Sequence, residues 1–264
     1  MNKITEKNKL EWEGKVLENT KGESFKIIKY VGTFEVHIEF LKTKFSRISS
    51  LSNIKKGNVS DLMSPSVYGV GYLGGDKYKT KNNSVSITYY KIWQSILQRC
   101  YDKNCSSYKN YGEKRVTISE EWKNYQNFAE WWENNRKEYM EDWVIDKDIL
   151  FKHNKVYSSE TCCFVPDEIN NLFTKRDSER GDYPIGVRLK TDTRNGKTYN
   201  YIIAQINKGG KKVHLGCFET PEDAFNSYKI AKENYIKELC EEYKNLLANN
   251  VYEALLNYSV EITD

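Results

Sequence analysis

The sequence predicts an α+β protein built from several domains. Three patterns carry that expectation. Between residues 25 and 40, apolar and polar side chains alternate with a period of two, as in half-buried strands. Over residues 89–100 and 120–134, apolar residues recur every three or four positions, as on one face of a helix. Beyond residue 184, three alternating runs are separated by Asn-Gly and Gly-Gly turns and followed by a capped helix. A chain of 264 residues more often forms two or three domains than one.

Composition narrows the function classes. Hydrophobic residues make up 39% and aromatics 14% of the chain, which supplies enough apolar surface for packed cores and excludes a disordered chain. Lys and Arg number 41 against 37 Asp and Glu, so the net +4 is too small to define an acidic partner and the local distribution must decide. No run approaches the roughly eighteen apolar residues of a membrane span, and the opening MNKITEKNKLEWEGK lacks the apolar core of a secretory signal. A cytoplasmic protein without a membrane partner is expected. Cys100, Cys105, Cys162, Cys163, Cys217 and Cys240 are then reduced thiols. The first four could be imagined around zinc, but the adjacent Cys162 and Cys163 lack the two-to-four-residue knuckle spacing, and no structural zinc is expected.

Residues 1–78 read as a β-rich module and linker. Phe25–Tyr30 (FKIIKY) and Phe34–Phe40 (FEVHIEF) are strands, with turn chemistry at Lys21-Gly22 and Val31-Gly32-Thr33, giving a small antiparallel meander or barrel. Gly57-Asn58 and the glycine-rich YGVGYLGGDKY at 68–78 mark the linker. A phosphate-cradling loop would run straight into a helix N-terminus, and here several polar residues intervene.

Residues 79–178 form the middle domain. Tyr89, Ile92, Trp93, Ile96, Leu97 and Cys100 define one helix, and Trp122, Tyr125, Phe128, Ala129 and Trp132 a second over Glu120–Asn134; their aromatic residues read as core. Trp143–Leu150 (WVIDKDIL) is a strand ending in two acids that flank a lysine. Thr161–Pro166 (TCCFVP) then leads into Asp167-Glu168-Ile169-Asn170-Asn171, a helix start. A carboxylate at a strand end, joined by an amide or second carboxylate from a helix, can hold a divalent cation, although acidic strand ends are common without one.

From Tyr111-Gly112 through Trp122 and Phe128 to Ile145-Asp146-Lys147 and Tyr157–Pro166 (YSSETCCFVP), the order and spacing resemble phage-borne relatives of the HNH homing endonucleases. The resemblance implies a strand hairpin and helix, an HNH-like ββα unit, gripping one divalent cation, Mg2+ or Mn2+, while a histidine deprotonates the attacking water. It puts Asp146 on the first metal-ligand position and Asn170 on the closing one. Lys147 falls where the general-base histidine sits, and Thr161 where the base-orienting asparagine sits. A lysine with a pKa of about 10 is protonated at neutral pH, so Lys147 is a phosphate clamp and not a base unless burial lowers that value. His153 could substitute as base or be a solvated loop histidine. The resemblance also implies residence in the cytoplasm of a bacterial host.

Residues 179–264 hold the third domain. The strands are Ile185–Lys190, Tyr199–Asn207 and Lys211–Phe218, with turns at Asn195-Gly196 and Gly209-Gly210. Thr220 is the N-cap, Pro221 the first helical residue, and Glu222 and Asp223 sit at the positive end of the helix dipole. Ala224, Tyr228, Ala231 and Tyr235 make the seam that lies on the sheet, and helical pattern continues through Leu239–Leu247 and Val251–Tyr258. Alternation sends Ile206, Val213, Leu215, Val187 and Leu189 toward the helix, and Arg188, Lys190, Gln205, Asn207, Lys212 and His214 away from it. Across 183–217 the cations are Arg188, Lys190, Arg194, Lys197, Lys208, Lys211 and Lys212, against Asp192 alone. Cations that neutralise phosphates, beside amides that can pair with adenine, suit double-stranded DNA.

Gly186-Val-Arg188, Ala204-Gln-Ile206 and Val213–Tyr235 (VHLGCFETPEDAFNSYKIAKENY) resemble the Apetala-2 or ethylene-response-factor DNA-binding domain, most specifically through Leu215, Gly216, Phe218, Thr220, Glu222 and Ala224. The resemblance implies a sheet lying in the major groove, with Arg188, Lys190, Gln205, Asn207, Lys212 and His214 at the contacting positions. His214 replaces a usual tryptophan and Asn207 a usual arginine, so the base preference of plant members does not transfer. Three classes follow: a site-directed DNA-binding protein of phage type with a non-catalytic HNH-like module; an active metal-dependent endonuclease, requiring Asp146 and Asn170 to converge and some group to act as base; and a non-enzymatic protein whose sheet face is a protein-interaction surface, for example one that blocks a host factor. A host protein partner or a homo-oligomer is compatible with these classes.

Overall fold

The computed structural model describes residues 3–173 and 182–262. It is α+β, with a four-stranded and a three-stranded antiparallel sheet among its elements. The chain forms two compact units, Met1–Asn134 with Val156–Ser159, and Asn135–Lys155 with Glu160–Asp264. The boundary expected at 178–179 lies outside the described residues.

The first unit opens with a helix the alternation did not announce, α1 (Lys3–Trp12), then strands β1 (Val16–Glu18), β2 (Ser24–Gly32), β3 (Glu35–Phe40) and β4 (Ser46–Ser49) in sequential antiparallel order, and the short α2 (Leu51–Lys55). Phe25, Ile27, Tyr30, Val36, Ile38 and Phe40 point inward and meet Leu51 and Ile54 of α2. Period two would send Ile28 out and Tyr30 out with it. A register shift between Ile27 and Lys29 resets the phase, leaving Ile28 49% exposed and Tyr30 buried.

A two-residue hairpin of β5 (Lys81–Asn82) and β6 (Val85–Ser86) precedes α3 (Thr88–Tyr101), β7 (Thr117–Ile118), α4 (Glu120–Lys123) and α5 (Tyr125–Asn135). The single helix expected over 120–134 is broken at Asn124, whose ψ of 115° is extended. The break has a remote cause: the Tyr72 amide donates to the Lys123 carbonyl and the Tyr125 amide to the Tyr72 carbonyl, so the glycine-rich segment inserts a strand-like bridge between two helical turns. The same segment is therefore pinned and not a bare linker. Gln126 Nε2 donates to the Leu73, Gly75 and Tyr78 carbonyls at 2.9, 3.1 and 3.3 Å. A Cβ on Gly74 would stand 1.7 Å from Asn124 Oδ1, so the close approach needs glycine. Trp93, Trp122, Tyr125 and Phe128 are fully buried, as core aromatics should be, and the Trp93 indole donates to the Trp122 carbonyl at 2.8 Å.

In the second unit, β8 (Trp143–Asp146) pairs antiparallel with β10 (Cys163–Pro166), after the intervening β9 (Val156–Tyr157) has joined β7 in parallel in the first unit. Helix α6 (Asp167–Phe173) follows β10 at once. Strands β11 (Val187–Arg194), β12 (Lys197–Lys208) and β13 (Lys211–Phe218) form a sheet in sequential order, covered by α7 (Pro221–Glu242), on which α8 (Asn249–Leu256) packs. Thr220 caps α7 by accepting the Asp223 amide, and Pro221 opens it. One core joins Val165 and Ile169 to Val187, Ala204 and Ile206 of the sheet, Ala224, Tyr228 and Ile236 of α7, and Val251 and Leu255 of α8. Gly186, at φ +78°, lets the chain enter the sheet directly over the Tyr228 ring, 2.0 Å from where a Cβ would lie.

Candidate nucleic-acid interface

Register defines the faces of the β11–β12–β13 sheet. Val187 stands opposite Ala204 and Leu189 opposite Ile202, and Ile202, Ala204 and Ile206 face α7. Directly opposed residues share a face, so the pairs Arg188 with Ile203, Lys190 with Tyr201, Gln205 with His214, and Asn207 with Lys212 all lie on the other side. The structure thus gathers Arg188, Lys190, Gln205, Asn207, Lys212 and His214 on one face. Gln205 is half-buried and the other five are exposed.

The same parity adds Asp192, Arg194, Lys197, Tyr199, Tyr201 and Ile203. Five exposed cations, Arg188, Lys190, Arg194, Lys197 and Lys212, therefore share this face with one carboxylate from the same strands. That carboxylate, Asp192, accepts from Arg194 Nη2 at 2.8 Å and from Nε at 3.1 Å. Lys208 and Lys211 project to the α7 side, where Lys208 reaches Glu238 at 3.1 Å. The floor of the face is apolar at its centre: Ile203, between Arg188 and Cys217, is 2% exposed.

Cys217 reaches this face through a bulge. Ala204 pairs with Gly216 and Gln205 with His214, so Leu215 is an extra residue in β13, and everything after it changes side. Strict alternation would have turned Cys217 toward the helix. Instead its Sγ stands 3.9 Å from His214 Nε2. Gly216, at φ +144°, is the local signal for the irregularity. The β12–β13 turn is anchored from α7: the Tyr235 hydroxyl accepts the Gly209 amide at 2.9 Å and donates to Glu168 at 2.6 Å. Burial, then the hydrogen bond to Glu168, pushes the Tyr235 hydroxyl up to about 12.

The β8–β10 hairpin carries the residues that the HNH resemblance assigns to a cation and its chemistry. Asp146 ends β8 opposite Cys163, and its Oδ1 accepts the Asp148 and Ile149 amides at 2.7 and 2.9 Å. That turn stops the strand four residues earlier than the sequence suggests. Burial raises the Asp146 carboxyl above its usual range, partly offset by the two amides. Burial also raises the Cys163 thiol well above its ordinary value, with the Asp146 charge adding to it. Lys147 is 6% exposed, and its Nζ is held by Asp148 at 2.6 Å and the Asn154 carbonyl at 2.9 Å, while Asn154 Nδ2 donates back to the Lys147 carbonyl. His153, at φ +62° and with its side chain 54% exposed, turns its ring toward Glu261, 3.9 Å away. Thr161 is half-buried just before β10, and Asn170 lies half-buried on α6, which packs against β8 and β10.

A divalent cation needs several converging oxygen or imidazole donors. Here the hydrogen bonds of the Asp146 carboxylate hold the following turn, Asp148 is neutralised by the ammonium of Lys147, and the histidine faces another acid. Among the described residues, no three His, Cys, Asp or Glu side chains are grouped to hold a metal. The two amides bound to Asp146 Oδ1 belong to the turn that follows it, whereas the HNH resemblance assigns this carboxylate, with Asn170, to a cation.

No protein family matches the chain, and no curated protein and no solved structure is significantly similar to it. Among the described residues no helix is long and apolar enough to cross a membrane.

Proposed function

We propose that the protein binds double-stranded DNA by laying the face of β11–β12–β13 that is turned away from α7 into the major groove. The observation that carries this reading is the in-register gathering of five exposed cations, with Gln205, Asn207 and His214, on a face to which the three strands contribute one carboxylate, Asp192. Three strands at about 4.8 Å spacing are roughly 10 Å across, which suits a groove about 12 Å wide. Lys and Arg side chains neutralise phosphates or pair with guanine, and a Gln205 or Asn207 amide can donate to adenine N7 and accept from its N6 amine.

The β8–β10 hairpin and α6 then act as scaffold. They share one core with the sheet and α7, so they brace the reading face without supplying chemistry. Lys147 has no role as a base, because its ammonium is ion-paired. The resemblances to HNH and Apetala-2 proteins agree with a DNA-directed protein of phage type acting in a bacterial cytoplasm.

The test is incubation of the purified protein with duplex DNA at low salt, with Mg2+ or Mn2+ and with chelator, scoring mobility shift and strand cleavage in the same samples. A shift of equal size with and without metal, and no nicking, is expected. Metal-dependent nicking abolished by Asp146→Ala would make the hairpin catalytic and overturn the scaffold role. No shift at all would remove the DNA reading and leave the sheet face to a protein partner.

A further inference from the structure

The sheet is three-stranded only over part of its length. The last residue of β13 pairs with Ile202, and beyond it β11 and β12 continue alone through five pairs, from Lys190 opposite Tyr201 to Arg194 opposite Lys197. The Asn195-Gly196 turn closes this ribbon, with both residues at positive φ, 50° and 73°. Helix α7 does not cover it. Its N-cap follows β13 directly and its later turns lie by the opposite end of the sheet, where Tyr235 and Glu238 hold Gly209 and Lys208. Both sides of the ribbon are consequently exposed from Thr193 to Asn200.

A free two-stranded hairpin is at best marginally stable in water, and among the described residues no element covers 193–200 of this one. Its cross-strand side-chain bond is a polar one, Thr191 Oγ1 to Asn200 Oδ1 at 2.9 Å. What it carries is chemistry for a polyanion. Lys190, Arg194 and Lys197 continue the basic face past the sheet, Tyr199 stands 42% exposed among them, and Thr191, Thr193, Thr198 and Asn200 line the reverse side. Asp192 is the ribbon's acid, and its ion pair with Arg194 is exposed and readily exchanged for a phosphate.

We propose that the Lys190–Tyr201 ribbon is a DNA-contacting arm that runs on along the major groove and lengthens the bound site on one side. This rests on the DNA reading of the sheet face. Five pairs at about 3.4 Å per residue reach roughly 17 Å, or about five base pairs at 3.4 Å each. A two-stranded ribbon enters a major groove but not a minor groove about 6 Å wide.

The experiment compares three proteins on duplexes of increasing length at low salt, and then on one long duplex across a salt series. They are the full chain, a chain lacking residues 191–194 and 197–200 so that Asn195-Gly196 joins Lys190 directly to Tyr201, and the point variant Arg194→Ala with Lys197→Ala. Affinity of the full chain should level off at a duplex about four base pairs longer than that for the shortened chain, in line with the four pairs removed. The point variant should lose affinity several-fold, and its log–log salt slope should fall by roughly 1.8, two phosphate contacts at about 0.9 each. An unchanged plateau length and an unchanged slope would discard the arm. Loss of the arm alone leaves the effect of Arg188→Ala with Lys212→Ala intact, whereas failure of the DNA reading abolishes that effect too. If the shortened chain does not fold, the point variant, which alters only exposed side chains, decides.

Discussion

Asp146 and Lys147 are neighbours in sequence with opposite problems. The carboxylate is half-buried and held by two amides, and its ionisation is disfavoured by desolvation. A carboxyl raised in the folded state binds its proton more tightly there than in the unfolded chain, so stability falls as pH rises from the usual carboxylate range through the raised folded value. Asp146→Asn keeps an acceptor for the two amides and removes that cost. Denaturant unfolding as a function of pH should show the variant more stable than the parent near neutrality, with the gap closing in acid; a gap that widens in acid would refute the burial argument. Lys147→Met leaves Asp148, itself about half exposed, to water and strips the Asn154 carbonyl of its partner. A destabilisation of about 1–2 kcal/mol is expected from denaturant melts, and no loss would mean the ion pair contributes nothing. The sequence could place Asp146 at a strand end, but not show that its Oδ1 would be taken by its own next turn. That depends on the chain folding back within three residues.

At the scale of elements, the signals that survived were local. Thr220-Pro221-Glu222-Asp223 spells a helix start in four residues, and Asn195-Gly196 and Gly209-Gly210 close hairpins where they stand. The features that the sequence hid arise from partners far along the chain. Tyr72 splits α4 from α5, and the extra Leu215 in β13 turns Cys217 onto the basic face of the sheet. Ile28 is a bulge of the same kind. Gly186 lies between these cases: its glycine is visible, but the reason for it, the Tyr228 ring, belongs to another element. Gly186→Ala combines an unfavourable positive φ with a Cβ 2.0 Å from that ring. It should cost roughly 2 kcal/mol or more in chemical denaturation, and a neutral result would mean that α7 can move off the sheet at that point.

At the scale of the whole molecule, the net charge of +4 conceals a local excess that only sheet register exposes. The alternation within each strand gave the sides of Arg188, Lys190, Gln205, Asn207, Lys212 and His214; the pairing between strands adds Arg194, Lys197 and the tyrosines. The α+β class followed from periodicity, whereas the common core of the β8–β10 hairpin with the C-terminal sheet did not, because its residues are distant in sequence and carry no shared pattern. The central claim is that this face binds duplex DNA through its cations. It is tested most directly by duplex binding across a salt series for the parent chain and for Arg188→Ala with Lys212→Ala, after circular dichroism has shown both folded. The parent should bind with a steep loss of affinity as salt rises. The variant should bind at least tenfold more weakly at moderate salt, with a slope shallower by roughly 1.8. Equal affinity and equal slope in the two proteins would contradict the assignment of this face.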